Sequence, residues 1–129
     1  NNETISEQTQ VYLADSMGEL LLWYALADAV FVGGSLVDVG GHNPIEPAIF
    51  AKPIIMGHFL KNCQLLADEL AGVGALTVVQ GGGEMLPLLS DYFTNPDKAR
   101  AAGEQGQILT AQKQHAHHEQ YQLLKPLLP

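Results

Sequence analysis

Two glycine-containing segments of the chain carry the residues most able to bind a ligand. The first is Asp15-Ser16-Met17-Gly18-Glu19, which follows a β-prone run and opens an apolar helical stretch. At a helix start the main-chain N–H groups of Met17, Gly18 and Glu19 lack intrahelical partners, and Gly18 lets a ligand approach the backbone closely. The spacing alone favours a structural alternative, a capping box in which Ser16 caps the helix and Glu19 reaches back to it.

The second segment is longer and richer in glycine. It comprises Gly33-Gly34-Ser35 and then the run from Gly40 to Pro47, so four glycines fall within nine residues. This pattern predicts a loop with positive φ angles and uncovered amides, followed by a helix capped by Asn43 or Pro44. Such a helix start attracts a phosphate, and Glu46 could accept hydrogen bonds from both hydroxyls of a ribose. The equally open alternative is that Glu46 only complements the helix dipole.

Other reactive side chains form weaker patterns. His115, His117 and His118 lie in a predicted final helix, but their spacing does not bring all three to one face, which favours a solvated helix over a metal site. Cys63 has no Cys-x-x-Cys partner and is predicted to be a small buried residue. These patterns therefore predict no metal site, and no pairing of Ser, His and Asp indicates a hydrolytic triad.

The elements that must position the two segments alternate strands with helices. Compact apolar runs predict buried parallel strands at 29–32, 53–56 and 75–79, and a further β-prone run lies at 9–13. Helical spacing predicts helices at 18–27, 45–51, 62–70, 85–92, 96–112 and about 115–124. Asn62 is the predicted N-cap of the third helix, Trp23 and Tyr24 are predicted core residues, and Gly81 to Gly83 form a predicted turn. Together these elements predict a single α/β domain with a mainly parallel sheet, in which ligands bind beyond the carboxyl ends of the strands.

Composition limits the classes of partner. A chain of 129 residues is long enough to bury a core as one domain. Its net charge of −8 argues against a nucleic-acid groove, although main-chain amides could still hold a mononucleotide phosphate. A single cysteine indicates a reducing compartment. The longest apolar stretch, Leu20 to Val32, is interrupted by Asp28 and is too short to cross a bilayer.

Taken together and in order, the two segments resemble the donor motifs of the 3-deoxy-D-manno-octulosonic acid (Kdo) transferases of lipopolysaccharide synthesis. The stretch from Asp15 to Leu20 is similar to the Asp-Thr-Met-Gly-Glu-Leu motif of that family, with Ser16 in place of threonine. Residues 33–37 and 40–48 resemble the second donor motif, and 52–57 resemble the strand after it. Asp38 departs from the family pattern. The similarity extends from about Val11 to Gln107.

This resemblance implies a fold and a donor. The family has the GT-B architecture, two Rossmann-like domains with helices on both faces of each sheet and the active site between them. It transfers Kdo from CMP-Kdo to a lipid A precursor, with inversion at the anomeric carbon. The residues that would contact CMP are Met17, Gly18, Glu19, Asn43, Pro44, Ile45 and Glu46. No metal or other cofactor is expected.

The resemblance also implies that residues 1–129 are one partial domain, the C-terminal donor-binding half of such an enzyme. We expect the acceptor domain, with its general base, the Pro-Arg-His unit and the membrane anchor to lie outside the chain. The isolated chain would then be soluble and inactive, and the parent enzyme would act at the cytoplasmic face of the inner membrane. A sheet edge exposed by missing strands could pair with a second copy. Two alternatives are another GT-B enzyme that uses a UDP-sugar, as a transferase or epimerase, and a non-catalytic α/β interaction module.

Overall fold

The structure is a computed structural model that describes residues 20–127 of the chain. The predicted strand at 9–13 and the first candidate segment lie outside the described residues. The helices are α1 (Leu20–Leu26), α2 (Ile45–Ile49), α3 (Gln64–Gly72), α4 (Gly82–Thr94) and α5 (Pro96–Leu124). The strands are β1 (Val30–Val32), β2 (Ile54–Gly57) and β3 (Leu76–Val79), and a 3-10 turn follows at Lys125–Leu127.

The three strands form one parallel sheet in the order β1-β2-β3. Ile54 in the central strand lies opposite Val30 on one side and Leu76 on the other. Each strand begins and ends within one residue of its predicted bounds, because short uniformly apolar runs are typical of strands buried on both faces. The predicted parallel α/β fold is thus confirmed. Within residues 20–127, β1 and β3 are the edge strands, and pairing of an edge with a second copy stays a prediction.

Helices cover both faces of the sheet, and a separate core lies under each face. Alternate side chains of the strands point to opposite faces, so Ile54 and Met56 enter one core and Ile55 enters the other. The first core receives residues of α2, α3 and α5, and the second receives residues of α4 and the start of α5. Ile54, Ile55 and Met56 are completely buried. The central strand therefore contributes to both cores and pairs with a strand on each side.

Three predicted helix boundaries were wrong. The N-cap of α3 is Cys63 rather than Asn62, and no side chain makes a capping hydrogen bond there. The turn predicted at Gly81 to Gly83 ends early, because α4 begins at Gly82. The two helices predicted at 96–112 and 115–124 are one continuous helix, α5. No residue between them breaks a helix, and Lys113 in the middle of α5 forms an ion pair with Glu69 of α3 at 2.8 Å.

Helices α2 to α5 each contribute buried residues to a core, whereas α1 is only partly covered. Trp23 and Tyr24, which were predicted as core residues, are half-buried, and α1 has no fully buried residue. Tyr24 packs against the edge of the first core and lies near Phe50, with ring centroids 6.3 Å apart. Within the part of the chain that the structure describes, no helix combines the length and hydrophobicity needed to cross a membrane.

Helix α5 packs closely on the turn between α2 and β2 because it carries glycine at the contact. A Cβ at Gly103 would lie 1.9 Å from the carbonyl oxygen of Ala51. Ala51 itself has φ +59°, the only non-glycine residue with positive φ among the described residues. Ala51 lies just after α2, and its N–H donates to the carbonyl oxygen of Ala48 at 3.0 Å. The turn therefore places an alanine where L-residues are strained.

Replacing Ala51 with glycine should stabilise the protein. Relief of left-handed strain is worth about 1–2 kcal/mol, and the extra freedom of glycine in the unfolded chain takes back about 0.4–1 kcal/mol. A net gain of about 0.5–1 kcal/mol in the free energy of unfolding is expected from these terms, measured by urea denaturation. The matched control is Gly74→Ala, because Gly74 has φ +83° after α3 with open space around it. That variant should lose stability, and a loss in Ala51→Gly would contradict the interpretation.

Candidate functional site

The carboxyl ends of the three parallel strands lie at the same end of the sheet, called its carboxyl edge below. Residues 33–44, called the glycine loop below, follow β1 and lead into α2. Residues 58–63, the β2–α3 loop, follow β2, and Gln80 and Gly81 follow β3. Ligands of open α/β sheets bind at this edge. The second candidate segment therefore lies where the sequence predicted it.

Ser35 joins the glycine loop to the central strand. Its side chain is completely buried, and its Oγ donates to the carbonyl oxygen of Val32 at 2.7 Å. The same Oγ accepts a hydrogen bond from the Gly57 N–H at 2.9 Å, and the Ser35 carbonyl oxygen accepts one from the Phe59 N–H at 3.0 Å. The carboxyl ends of β1 and β2 are thus connected through one hydroxyl and one peptide group.

The glycine loop folds back on itself and has the positive φ angles that the glycine pattern predicted. Gly34, Gly40 and Gly41 have φ angles of +71°, +104° and +80°. The Gly41 N–H donates to the Gly34 carbonyl oxygen at 2.8 Å, and the His42 N–H donates to the Gly33 carbonyl oxygen at 3.1 Å. These bonds bring the start and end of the loop together and deliver Asn43 to the beginning of α2.

The start of α2 leaves fewer free amides than the sequence suggested. Pro44 is the N-cap, and the Asn43 Oδ1 accepts a hydrogen bond from the Ile45 N–H at 3.0 Å. The amide of Ile45 is therefore already occupied, and Pro44 and Pro47 have no N–H to offer. Among the described residues, the N–H of Glu46 has no hydrogen-bond partner. The first turn of α2 thus presents one open donor, beside the carboxamide of Asn43.

Glu46 is exposed at the same helix start, next to Tyr24 of α1. Burial raises the pKa of the Tyr24 phenol, and the nearby Glu46 carboxylate raises that pKa further. Within residues 20–127 the Glu46 carboxylate accepts no hydrogen bond. It is consequently available to a ligand that offers hydroxyl groups. Asn43, Pro44, Ile45 and Glu46 lie together, as any four neighbouring residues at a helix start must.

A neighbouring loop contributes residues that the sequence motifs did not include. Lys61 forms a 3.7 Å ion pair with Asp38 across the two loops, and Asn62 donates through Nδ2 to the Val39 carbonyl oxygen at 3.2 Å. Asn43, Lys61 and Asn62 border a surface cleft of about 400 Å³. The available signal was the position of Asn62 after the carboxyl end of a predicted strand. A second cleft, of about 340 Å³, lies beside Asp28 and Lys52, at the end of the sheet where β1 and β2 begin, and none of its lining residues belongs to the glycine loop.

Comparison with known proteins identifies the family. No protein-family model matches the chain. A 3-deoxy-D-manno-octulosonic acid transferase of Haemophilus influenzae is 38% identical over 128 residues, which cover 98% of this chain and 30% of that protein. The transferase of the same name from Chlamydia trachomatis is 30% identical over 114 residues, which cover 88% of this chain and 26% of that protein.

A solved structure agrees with these relatives. The crystal structure of the C-terminal CMP-Kdo binding domain of WaaA from Acinetobacter baumannii is 39% identical, with a TM-score of 0.71 over 76% of this chain and 51% of that one. The chain belongs to the Kdo transferase family. It spans about a third of the length of the curated Kdo transferases reported above. Its similarity to them supports the family and the Rossmann-like α/β fold together.

Three further predictions for this Kdo transferase chain concern the first motif, Cys63 and metal binding. Met17, Gly18 and Glu19 lie outside the described residues, so their convergence with Asn43 stays a prediction. Cys63 is half-buried, and burial raises the pKa of its thiol, which disfavours a reactive thiolate. In the described part of the chain no three His, Cys, Asp or Glu side chains form a group that could hold a metal ion.

Proposed function

We propose that the chain is the donor-binding domain of a Kdo transferase and that it binds CMP-Kdo at the carboxyl edge of its sheet. The observation that carries the proposal is the shared fold and sequence with the CMP-Kdo binding domain of WaaA. The geometry of the α2 start supports it, since an open N–H and a free carboxylate lie side by side there. These two groups match a nucleotide, which offers an anionic phosphate and a ribose diol.

Each residue of the site has a proposed role. The Glu46 N–H and the positive end of α2 face the phosphate, and the Glu46 carboxylate accepts hydrogen bonds from the ribose hydroxyls. Asn43 contributes its carboxamide and Ile45 part of the surface against which the nucleotide packs, while the fully buried Pro44 supports the turn from beneath. The amides of Met17, Gly18 and Glu19 form the second half of the phosphate site. Donors fixed in this way would stabilise the charge that develops on CMP as it leaves.

The rest of the reaction is assigned to the remainder of the enzyme. We propose that the acceptor is a lipid A precursor. We also propose that the general base belongs to the part of the enzyme that the relatives contain and this chain does not span. Attack by the acceptor hydroxyl then displaces CMP with inversion at the anomeric carbon. The reaction takes place at the cytoplasmic face of the inner membrane. No metal ion or other cofactor is assigned a role in donor binding.

Calorimetric titration of the 129-residue chain with CMP and with UMP tests the donor assignment. CMP should bind more tightly than UMP, because the related domain of WaaA binds CMP-Kdo. The phosphate and ribose contacts assigned above are common to both nucleotides, so the difference in affinity reports contacts to the base. Inorganic phosphate serves as the control ligand and should bind more weakly than CMP. Preference for UMP would support a UDP-sugar enzyme instead. Equal weak binding of all three ligands would support a non-catalytic module.

A further inference from the structure

Asn62 contacts the glycine loop through both its main chain and its side chain. The Asn62 N–H donates to the Gly40 carbonyl oxygen at 3.0 Å, and its Nδ2 donates to the Val39 carbonyl oxygen at 3.2 Å. Gly40 has φ +104°, and a Cβ there would lie 2.6 Å from the Asn62 Nδ2. The absence of a side chain at Gly40 therefore leaves the space that the Asn62 carboxamide occupies.

These contacts restrain the loop shortly before Asn43. On the near side, Asn62 holds Val39 and Gly40. On the far side, the Asn43 Oδ1 is bonded to the Ile45 N–H at the start of α2. Asn43 directly follows Gly41 and His42, whose N–H groups bond to Gly34 and Gly33 across the loop. Loss of the Asn62 side-chain contact would leave these main-chain bonds in place. It would release the Val39 carbonyl, which lies next to Gly40, where the backbone is least restricted.

The Asn62 side chain makes no other hydrogen bond among the described residues. It does not cap α3, whose N-cap is Cys63, and it is exposed rather than packed in either core. Removing it should therefore affect the loop far more than the global fold.

We infer that Asn62 is a positioning residue of the donor site, which fixes the glycine loop so that Asn43 is held ready for the nucleotide. This inference rests on the proposed function, because it assumes that Asn43 belongs to the donor site. Asn62 acts through the loop and not by contact with the donor. Its chemistry requires a side-chain N–H donor, since the group that it meets is a carbonyl oxygen.

Calorimetry with CMP on single variants is the first test. Asn62→Ala should weaken CMP binding about 3- to 10-fold, the size expected for one lost hydrogen bond. Asn62→Asp should weaken it at least as much, because a carboxylate cannot donate to the Val39 carbonyl and repels it. The control is Asn95→Ala, because the Asn95 carboxamide bonds to Asp91 of α4 at 2.8 Å, away from the glycine loop. That variant should bind CMP like the wild type.

A double-mutant cycle distinguishes positioning from a general structural role. If Asn62 acts through Asn43, Asn62→Ala should have little further effect on CMP affinity in a chain that already carries Asn43→Ala. Additive losses would overturn the inference. In the free protein, the backbone amide NMR signals of Asn43 and Glu46 should shift in Asn62→Ala and not in Asn95→Ala. Unchanged signals at both residues would also overturn it.

The two proposals fail in different ways. If the wild-type chain binds CMP and Asn62→Ala binds it equally well, the positioning role is wrong and the donor assignment stands. If the wild-type chain does not bind CMP, the donor assignment is rejected, and the positioning role is rejected with it.

Discussion

Replacing Gly57 with alanine is expected to destabilise the protein by about 3 kcal/mol, near the upper end of the usual cost of overpacking. A Cβ at this position would lie 2.1 Å from the Ser35 carbonyl oxygen and 2.4 Å from its carbonyl carbon. Both are main-chain atoms, so no side-chain rotation can relieve the contact. Against the total stability of about 5–15 kcal/mol typical of a domain, this is a large fraction.

The loss should extend to the donor site because the same contact holds the glycine loop on the sheet. Gly57 donates its N–H to the buried Ser35 Oγ at 2.9 Å, and moving the two chains apart would break that bond. The Val32 and Phe59 bonds to Ser35 would be strained at the same time. A buried donor left without a partner costs about 1–3 kcal/mol. CMP affinity should therefore fall together with the free energy of unfolding.

Gly81→Ala is the matched control for this prediction. Gly81 follows the carboxyl end of β3 as Gly57 ends β2, has an extended backbone with φ −168° and ψ 175°, and has open space around its Cα. Because Gly81 is the N-cap of α4, where glycine is preferred to alanine, this variant should lose no more than about 1 kcal/mol in the free energy of unfolding, measured by urea denaturation. Equal stability of the two variants would show that the Ser35 peptide moves aside at little cost.

The parts of the fold that could be predicted from sequence are those fixed by local chemistry. Three short apolar runs became three parallel strands, because a strand covered on both faces needs apolar residues at every position. Glycines with positive φ were expected where four glycines cluster, and Gly34, Gly40 and Gly41 have such angles. Asn43 was expected near a helix cap because its carboxamide can accept from a free amide.

The parts that could not be predicted depend on contacts between distant residues. Asn62 looked like a cap for its own helix, but its side chain bonds to Val39, which lies 23 residues earlier. Ser35 was only a member of a glycine motif, yet it bonds to Gly57 across 22 residues. The sequence suggested several free N–H groups at the start of α2, but the Ile45 N–H is already bonded to the Asn43 Oδ1. Spacing predicts which groups are available at a turn, whereas the fold decides which of them another segment uses.

Glu46→Ala is expected to weaken CMP binding about 10- to 100-fold, measured by calorimetry on the 129-residue chain. The expected loss corresponds to about 1.5–3 kcal/mol for the two ribose bonds together, the contribution of one hydrogen bond to a charged group, because Glu46 is exposed to solvent. Stability should change little, because Glu46 is exposed and alanine is a good helix former. The main-chain N–H at position 46 is retained, so the phosphate contact should survive. If Glu46 binds the ribose, the affinity for CMP should fall while the affinity for inorganic phosphate stays unchanged.

Glu84→Ala separates a ligand contact from a simple dipole effect. Glu84 is also the acidic residue in the first turn of a helix that follows a strand of the same sheet, but its Oε2 already accepts a hydrogen bond from the Gln80 N–H at 3.1 Å. If Glu46 only complements the dipole of α2, both variants should leave CMP affinity unchanged. Glu46→Ala should then lose about 0.3–1 kcal/mol of stability at most, and Glu84→Ala should lose more, because it also loses the bond to Gln80. If Glu46 binds the ribose, only Glu46→Ala should lose affinity. Equal affinity of the wild type and Glu46→Ala for CMP would reject Glu46 as a donor ligand, because no other described carboxylate lies in the first turn of α2.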